Sequence, residues 1–416
     1  MTATVQMTSE GEAARVSEYW AQQFEKNKID NSLWTNNLIV ARHIYQLISG
    51  REEHWLTWFF NDYLEEGRVL EKSLSVCCGD GAHELEIART GKIRFIHGFD
   101  ISEGAIAQAN LIFEKAAISK GSYAFEVADA NHLQLEGQFD LLLSTGALHH
   151  VTNLEGLLSQ LSSLLSPDGY FIVLEYVGPN RFQWTDAQLG VINGILRQLD
   201  LHYLKDNTRT YLGRSPIADF MAVDPSEAVH SEDILRLLPE YFRIEYLRNF
   251  NGTVMHPLYP LLNAEFTNTN SPDFDSLVRM ILLMEDSLIR ANVLPSDFVF
   301  AVCRNKKSAE GTTRPRSKKR HIEGYIDLFT ENSVNGWVAD LEAPDAPVTV
   351  DVYIDDQLEG TVLCDAFRQD VKDAGYGDGR KGFRFILARP STRRRVVKVL
   401  VAGFDQVIAT QVYDTE

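Results

Sequence analysis

The sequence predicts an α/β domain with a mostly parallel sheet, followed by a smaller all-β domain. Three observations predict it. A hydrophobic strand runs into a glycine turn at Leu74-Ser-Val-Cys-Cys-Gly-Asp-Gly-Ala82, and a second strand closes on a carboxylate at Phe99-Asp100. Strand-like and helix-like segments alternate as far as Glu175, the pattern that specifies parallel strands joined by crossover helices. From Ile322 the texture changes to period-two alternation with frequent turns, which reads as a small sandwich.

In chain order, residues 13 to about 70 read as helices. Val16, Trp20 and Phe24 recur at helical spacing, as do Leu38, Ala41, Ile44, Tyr45 and Ile48 before Gly50, then Leu56, Trp58, Phe59 and Leu64. This segment, 1–70, is expected to pack on the main sheet or to cap a ligand. The alternating stretch follows: Ser73–Cys78, His83–Thr90, Phe95–Asp100, Glu103–Ala117, Tyr123–Ala128, Phe139–Ser144, Asn153–Leu165 and Tyr170–Leu174. Ser102 stands where an N-cap is needed for the second helix. Further helices are expected at Trp184–Leu199, Ser231–Leu238 and Phe274–Asn292, and strands at Phe242–Phe250 and Asp297–Arg304. The α/β domain thus spans 71–304. Residues 305–321 read as a solvated linker carrying the basic cluster Arg314 to Arg320. The all-β module is 322–416, with Asp355-Asp356 at a hairpin turn.

Composition narrows the function. A length of 416 residues suggests two domains. A net charge of −18 repels phosphates and argues against nucleic acid. No apolar run reaches the length of a membrane span, and the N-terminus lacks a signal-peptide core, so a cytoplasmic protein is expected. The four cysteines, at 77, 78, 303 and 364, have no zinc or disulfide-framework spacing.

The glycine turn is one that lets backbone N–H groups approach a nucleotide-like cofactor, with a carboxylate for its ribose. Gly79 and Gly81 are followed by Ala82, His83 and Glu84, so the third glycine of the dinucleotide fingerprint is missing. That argues against NAD or FAD. Three further signals follow: Ala128-Asp129, the buried strand Phe139-Asp140-Leu-Leu-Leu-Ser144, and the helix end Leu164-Leu-Ser-Pro-Asp-Gly169. The succession resembles the class I S-adenosylmethionine-dependent methyltransferases, over Leu74 to Glu175 by motif and more loosely to about residue 305. The resemblance implies a Rossmann-like seven-stranded sheet whose last two strands are an antiparallel pair. It implies S-adenosyl-L-methionine as cofactor, with Cys77, Gly79 and Gly81 at its methionine end and Asp100 on the ribose. Ile101 would pack on adenine and Asp129, beside Ala130, would accept from the adenine amino group. Ser144, with Thr145 and Gly146, would line the methyl region. Two departures stand out: Ser75 replaces the usual acidic residue and Cys77 the first glycine.

Methyl transfer to a hydroxyl needs a group that takes its proton. His149, His150 and Glu175 are the candidates. Adjacent side chains are expected to diverge, so no metal site is expected from the two histidines. Tyr176, Asn180, Arg181 and Trp184 form a polar, aromatic stretch suited to a polyhydroxylated acceptor. His230 is a further acceptor candidate, sharing a helical face with Glu227, whereas His256 beside Pro257 reads as structural. The C-terminal segment resembles β modules appended to bacterial glycosyltransferases and glycan-modifying enzymes. The expected reaction is therefore O-methylation of a sugar or glycan precursor. The alternatives are another small-molecule acceptor, such as an amine or secondary metabolite, and a non-catalytic scaffold.

Overall fold

The computed structural model describes residues 15–20, 33–263, 271–307, 321–344, 346–355, 357–387, 394–402 and 407–413. They form two compact units: residues 1–44 with 68–310, and residues 45–67 with 311–416. The expected N-terminal cap is thereby divided between the two. Phe24 and the basic cluster Arg314 to Arg320 lie outside the described residues.

The first unit is built on seven strands: β1 (Leu70–Val76), β2 (Ile93–Asp100), β3 (Tyr123–Val127), β4 (Phe139–Thr145), β5 (Leu165–Tyr176), β6 (Phe242–Asn249) and β7 (Phe298–Asn305). Their spatial order is β3-β2-β1-β4-β5-β7-β6. The first five are mutually parallel, and β7 runs antiparallel to both β5 and β6. This is the Rossmann-like sheet with its final antiparallel pair. The central strands are apolar on both faces, as parallel strands between helix layers must be. Leu142, Phe171 and Val173 are buried together with Leu157, Leu158 and Leu161 of the helix Leu154–Leu164.

Most boundaries fall within two or three residues of the expected ones. The turn expected at Ser166-Pro-Asp-Gly169 is absorbed into β5 as an irregularity: Phe139 pairs with Leu165, and Leu141 with Tyr170. The register fixes the site. Val76 pairs with Phe99 and with Ser144, so β1, β2 and β4 end level with one another. Their carboxyl ends open at one edge, where open α/β sheets bind ligands. No helix among the described residues is long and apolar enough to cross a membrane.

In the second unit, two four-stranded antiparallel sheets have the orders β11-β10-β14-β15 and β12-β13-β9-β8. Here β8 is Ile322–Phe329, β9 Ser333–Asp340, β10 Val348–Ile354, β11 Gln357–Cys364, β12 Ala366–Phe367, β13 Arg380–Ile386, β14 Arg395–Val401 and β15 Val407–Tyr413. Their inward residues, among them Ile326, Val338, Val350, Val352, Val397 and Val399, share one core. The hairpin between β10 and β11 closes Ile354 onto Gln357, with Asp355 at a φ of 50°. Asp356 lies outside the described residues.

Candidate functional site

After Val76 the chain must turn sharply to start the helix Ala82–Thr90. Cys77, Gly79 and Gly81 all take left-handed backbone, at φ of 49°, 56° and 76°. Glycine adopts that region freely, whereas Cys77 is strained there. The turn is tied to the neighbouring strand by the Cys78 N–H, which donates to the Phe99 carbonyl at 2.9 Å. Burial keeps the thiols of Cys77 and Cys78 protonated, well above the ordinary cysteine range. They are packing residues, not a redox pair.

Asp100 is only 7 % exposed. Its two oxygens accept from the Gly79 N–H at 3.0 Å and the Ser102 N–H at 2.9 Å. Burial raises its pKa, and these two N–H groups work against that rise. Ser102 itself caps the helix Glu103–Lys115 by accepting from the Ala105 N–H. The carboxylate is therefore aimed and held by backbone N–H groups.

A cavity of about 690 Å³ opens over this turn, within the usual range for small-molecule and cofactor sites. Cys77, Gly79 and Asp100 line it from one side, Ile101, Asp129 and Ala130 from another. Thr145, Gly146 and His150 close the third, and Val16 and Trp20 of the helical segment 15–20 cover it. That segment is anchored by Ser17, whose hydroxyl donates to the Ile101 carbonyl at 2.9 Å. Asp129 accepts from the Asn131 backbone and side chain at 2.8 and 3.0 Å, which folds the Ala130–His132 turn against the cavity.

Two expected cofactor residues stand elsewhere. Gly81 does not line the cavity; a Cβ there would lie 3.0 Å from the Ala109 Cβ. Its glycine serves the left-handed turn and the packing of two helices. Gly81→Ala is expected to cost about 1–3 kcal/mol in urea unfolding, the range for overpacking. Affinity of the folded variant for S-adenosylhomocysteine should stay at the wild-type level; a selective loss of affinity would return Gly81 to the cofactor. Ser144 points to the opposite face of β4 from Thr145 and is fully buried.

The candidate catalytic groups meet at the ends of β4 and β5. Glu175 is completely buried. One of its oxygens accepts from the Ala147 and Leu148 N–H groups at 2.9 and 2.7 Å. The other accepts from the Tyr176 N–H and from Nδ1 of His149. With four donors on one carboxylate, Glu175 is not the general base expected from its place at a strand end. It is a positioning residue for the Leu148–His150 turn.

His149 faces Glu227 on its other side, Nε2 to Oε1 at 3.6 Å. Burial opposes a charge on His149, but Glu175 and Glu227 outweigh it and raise its pKa to about 10. Burial likewise opposes ionisation of Glu227, which His150 and His149 nevertheless hold down at about 2. Without another cation present, His149 is an imidazolium between two carboxylates.

His150 is different. Burial, then the charge of His149, push its pKa below the ordinary value. The Ser226 hydroxyl lies 3.1 Å from its Nδ1 and 2.6 Å from Asp224 Oδ1. A carboxylate only accepts, so the single Ser226 proton goes to Asp224. Ser226 Oγ must then accept from Nδ1–H of His150, which leaves a bare lone pair on Nε2. Trp20 meets the ring edge-on at 5.5 Å between centroids.

The two histidines do not diverge as expected. Their ring centroids are 4.1 Å apart. The cause is tertiary: Glu175 pulls one ring, and Ser226 of the docked segment 224–230 pulls the other. That segment is not the helix that would place Glu227 and His230 on one face. It is a run of turns pinned by the Val229 N–H on the His149 carbonyl at 2.8 Å. Glu227 reaches His149, whereas His230 faces Asp233 at 3.8 Å.

The polar stretch after β5 is committed to the protein itself. The Asn180 side-chain oxygen Oδ1 accepts from the Ser231 hydroxyl and the Glu232 N–H, both at 3.1 Å. Arg181 donates to the Glu227 carbonyl at 2.9 Å. Tyr176 donates its hydroxyl to the Pro179 carbonyl, and Trp184 stacks on Phe182. None of Tyr176, Asn180, Arg181, Trp184 and His230 lines the cavity. His256 is buried among Trp34, Tyr176, Phe182 and Phe298, where burial lowers its pKa to about 4. Sequence reasoning missed Ser226 and Asp224; a serine two residues from an aspartate carries no signal until the loop is docked.

A mainly parallel sheet thus carries a buried carboxylate, Asp100, and a left-handed turn at its carboxyl edge. Residues 70–216 match the family model described as a methyltransferase domain. An uncharacterized methyltransferase of Mycobacterium tuberculosis is 32 % identical over 108 residues, 26 % of this chain and 51 % of that protein. The malonyl-[acyl-carrier protein] O-methyltransferase of Geobacter sulfurreducens is 26 % identical over 198 residues, covering 46 % of this chain and 71 % of its own. An S-adenosylmethionine-dependent methyltransferase structure from Mesorhizobium loti superposes with a TM-score of 0.35 at 20 % identity, over 58 % of this chain and 94 % of the other. The chain spans about half the length of the first of these relatives. The similarity to the methyltransferase-domain family model is confined to residues 70–216.

Proposed function

We propose that the protein methylates a hydroxyl oxygen of a small-molecule acceptor, with His150 activating that oxygen. S-adenosylmethionine, when bound, supplies a methyl group already activated on sulfur. The chain's own residues then have three tasks. Asp100 and the Gly79 turn fix the adenosyl end. Trp20 and Val16 cover the cavity and exclude water. His150 presents its Nε2 lone pair to the acceptor, held in that tautomer by Ser226 and Asp224.

The observation that carries this reading is the hydrogen-bond chain from His150 Nδ1 through Ser226 to Asp224, which favours the tautomer with Nε2 unprotonated. A fixed lone pair on a cavity wall suits an acceptor that must lose a proton, which a hydroxyl must and a neutral amine need not. The Geobacter relative is likewise named for transfer to oxygen. A sugar or glycan acceptor, expected from the stretch after Glu175, loses the support of that stretch because its residues do not line the cavity. Saccharides are therefore one arm of the test and not its premise. Purified protein with methyl-labelled cofactor should transfer label to hydroxylated acceptors in a mixed panel of saccharides, phenols, hydroxy acids and amines. Transfer confined to amines would sink the proposal.

The cofactor half has its own test. Asp100→Ala is expected to weaken S-adenosylhomocysteine binding by roughly 1.5–3 kcal/mol, the worth of hydrogen bonds to a charged group. Calorimetric titration reads it. An unchanged affinity would remove Asp100 from the ribose, and no binding by the wild type would favour the scaffold alternative.

A further inference from the structure

We propose that His149, His150 and Glu227 form a binding site for one divalent transition-metal ion beside the methyl-transfer cavity, which His150 alone of the three lines. One nitrogen from each histidine and one oxygen of Glu227 lie within 4.8 Å of one another. His149 Nε2 and Glu227 Oε1 are 3.6 Å apart. Metal–ligand bonds of about 2.1 Å place neighbouring tetrahedral ligands about 3.4 Å apart, so this edge is nearly formed. The remaining approach is a rotation of half-buried side chains.

The surroundings match what a metal site requires. Ligating histidines donate their second ring N–H to an oxygen that fixes the ring. Here Nδ1 of His149 is held by Glu175, and Nδ1 of His150 by Ser226, itself anchored on Asp224. Both rings therefore present Nε2 as the ligand atom. Two imidazoles and one carboxylate are a three-ligand set that leaves coordination positions open. It suits zinc, manganese, cobalt or iron(II) and not magnesium or calcium, which prefer oxygen. Charge agrees as well. Glu175, Glu227 and Asp224 surround the histidines, and a dication in place of the His149 proton balances more of that negative charge.

His150 would carry such an ion to the edge of the cavity, with its Nε2 spent on the metal, so that the ion and not that lone pair would activate the acceptor oxygen. An ion there would bind that oxygen and lower its pKa. This second statement rests on the proposed methyl-transfer reading; the binding of an ion does not.

The competing arrangement is the imidazolium of His149 bridging Glu175 and Glu227 with no ion. Chelator-stripped full-length protein titrated with Co²⁺ distinguishes them, followed by calorimetry and by the visible d–d absorption. One equivalent per chain with a visible spectrum is expected, competed by Zn²⁺. Glu227→Gln, nearly isosteric, should abolish the spectrum while S-adenosylhomocysteine affinity stays at the wild-type level. Ser226→Ala should weaken Co²⁺ about 10–100-fold, as for other groups that hold a ligating histidine. His202→Asn, a surface histidine far from the cluster in sequence, should change nothing. Absence of saturable Co²⁺ binding, or binding unaltered by Glu227→Gln, would overturn the site. Intact binding of S-adenosylhomocysteine in the same sample would show that the cofactor reading survives that failure.

Discussion

His150→Gln is expected to lower kcat/KM for a hydroxyl acceptor by roughly 10²–10⁴-fold, the usual worth of a positioned group that handles the acceptor's proton. Glutamine keeps about the size of the ring and its packing against Trp20, but it has no lone pair at the Nε2 position fixed by Ser226. The loss should fall on turnover of the acceptor and leave S-adenosylhomocysteine affinity near the wild-type level, because Asp100 and the Gly79 turn are untouched. Ser226→Ala should fall between the two. It keeps the imidazole but frees the tautomer, since Nδ1 loses the oxygen that could only accept from it. Steady-state kinetics with saturating cofactor separates these effects. A His150→Gln enzyme within a few-fold of wild type would show that the acceptor is activated elsewhere.

The sequence made the sheet legible because its signals are local and repeated. Each strand is a short apolar run, each helix has its own period, and their alternation specifies a mainly parallel sheet. The juxtaposition of Gly79 and Asp100 was legible for the same reason. Asp100 sits one strand after the glycine turn, and register alone brings the two together, with Gly79 N–H on its carboxylate. Gly81 was the limit of that logic. Its left-handed backbone was foreseeable, but its contact with Ala109 depends on how two helices pack.

The catalytic end was legible only in part. His149 and His150 follow a strand end and so could be named. Their roles depend on partners about 26 and 76 residues away in the chain. Glu175 looked like a base because it ends a strand at the ligand edge. The fold surrounds it with N–H groups instead. The polar loop after it looked like an acceptor site because composition shows which groups a segment owns, not which of them its own neighbours consume. Asn180 and Arg181 are spent in holding segment 224–232 against the sheet. That docking brings Glu227 to His149.

Glu175→Ala is expected to destabilise the first unit by about 3–5 kcal/mol, the cost of breaking a buried charge pair by removing one partner. The substitution strands His149 beside Glu227 alone and leaves the N–H groups of Ala147, Leu148 and Tyr176 without their acceptor. Glu175→Gln sharpens the argument. Both carboxylate oxygens accept here, one from two backbone N–H groups and the other from His149 and Tyr176. An amide must therefore turn its NH₂ toward donors in either flip, at a cost of roughly 1–3 kcal/mol for the group left unsatisfied. Urea unfolding followed by circular dichroism should show the midpoint falling in the order wild type, Gln, Ala, with little change in slope. A general base would behave otherwise, because its removal would abolish turnover at undiminished stability. If Glu175→Gln unfolds at the wild-type midpoint yet transfers no methyl group, the positioning role is wrong and Glu175 belongs among the reacting groups.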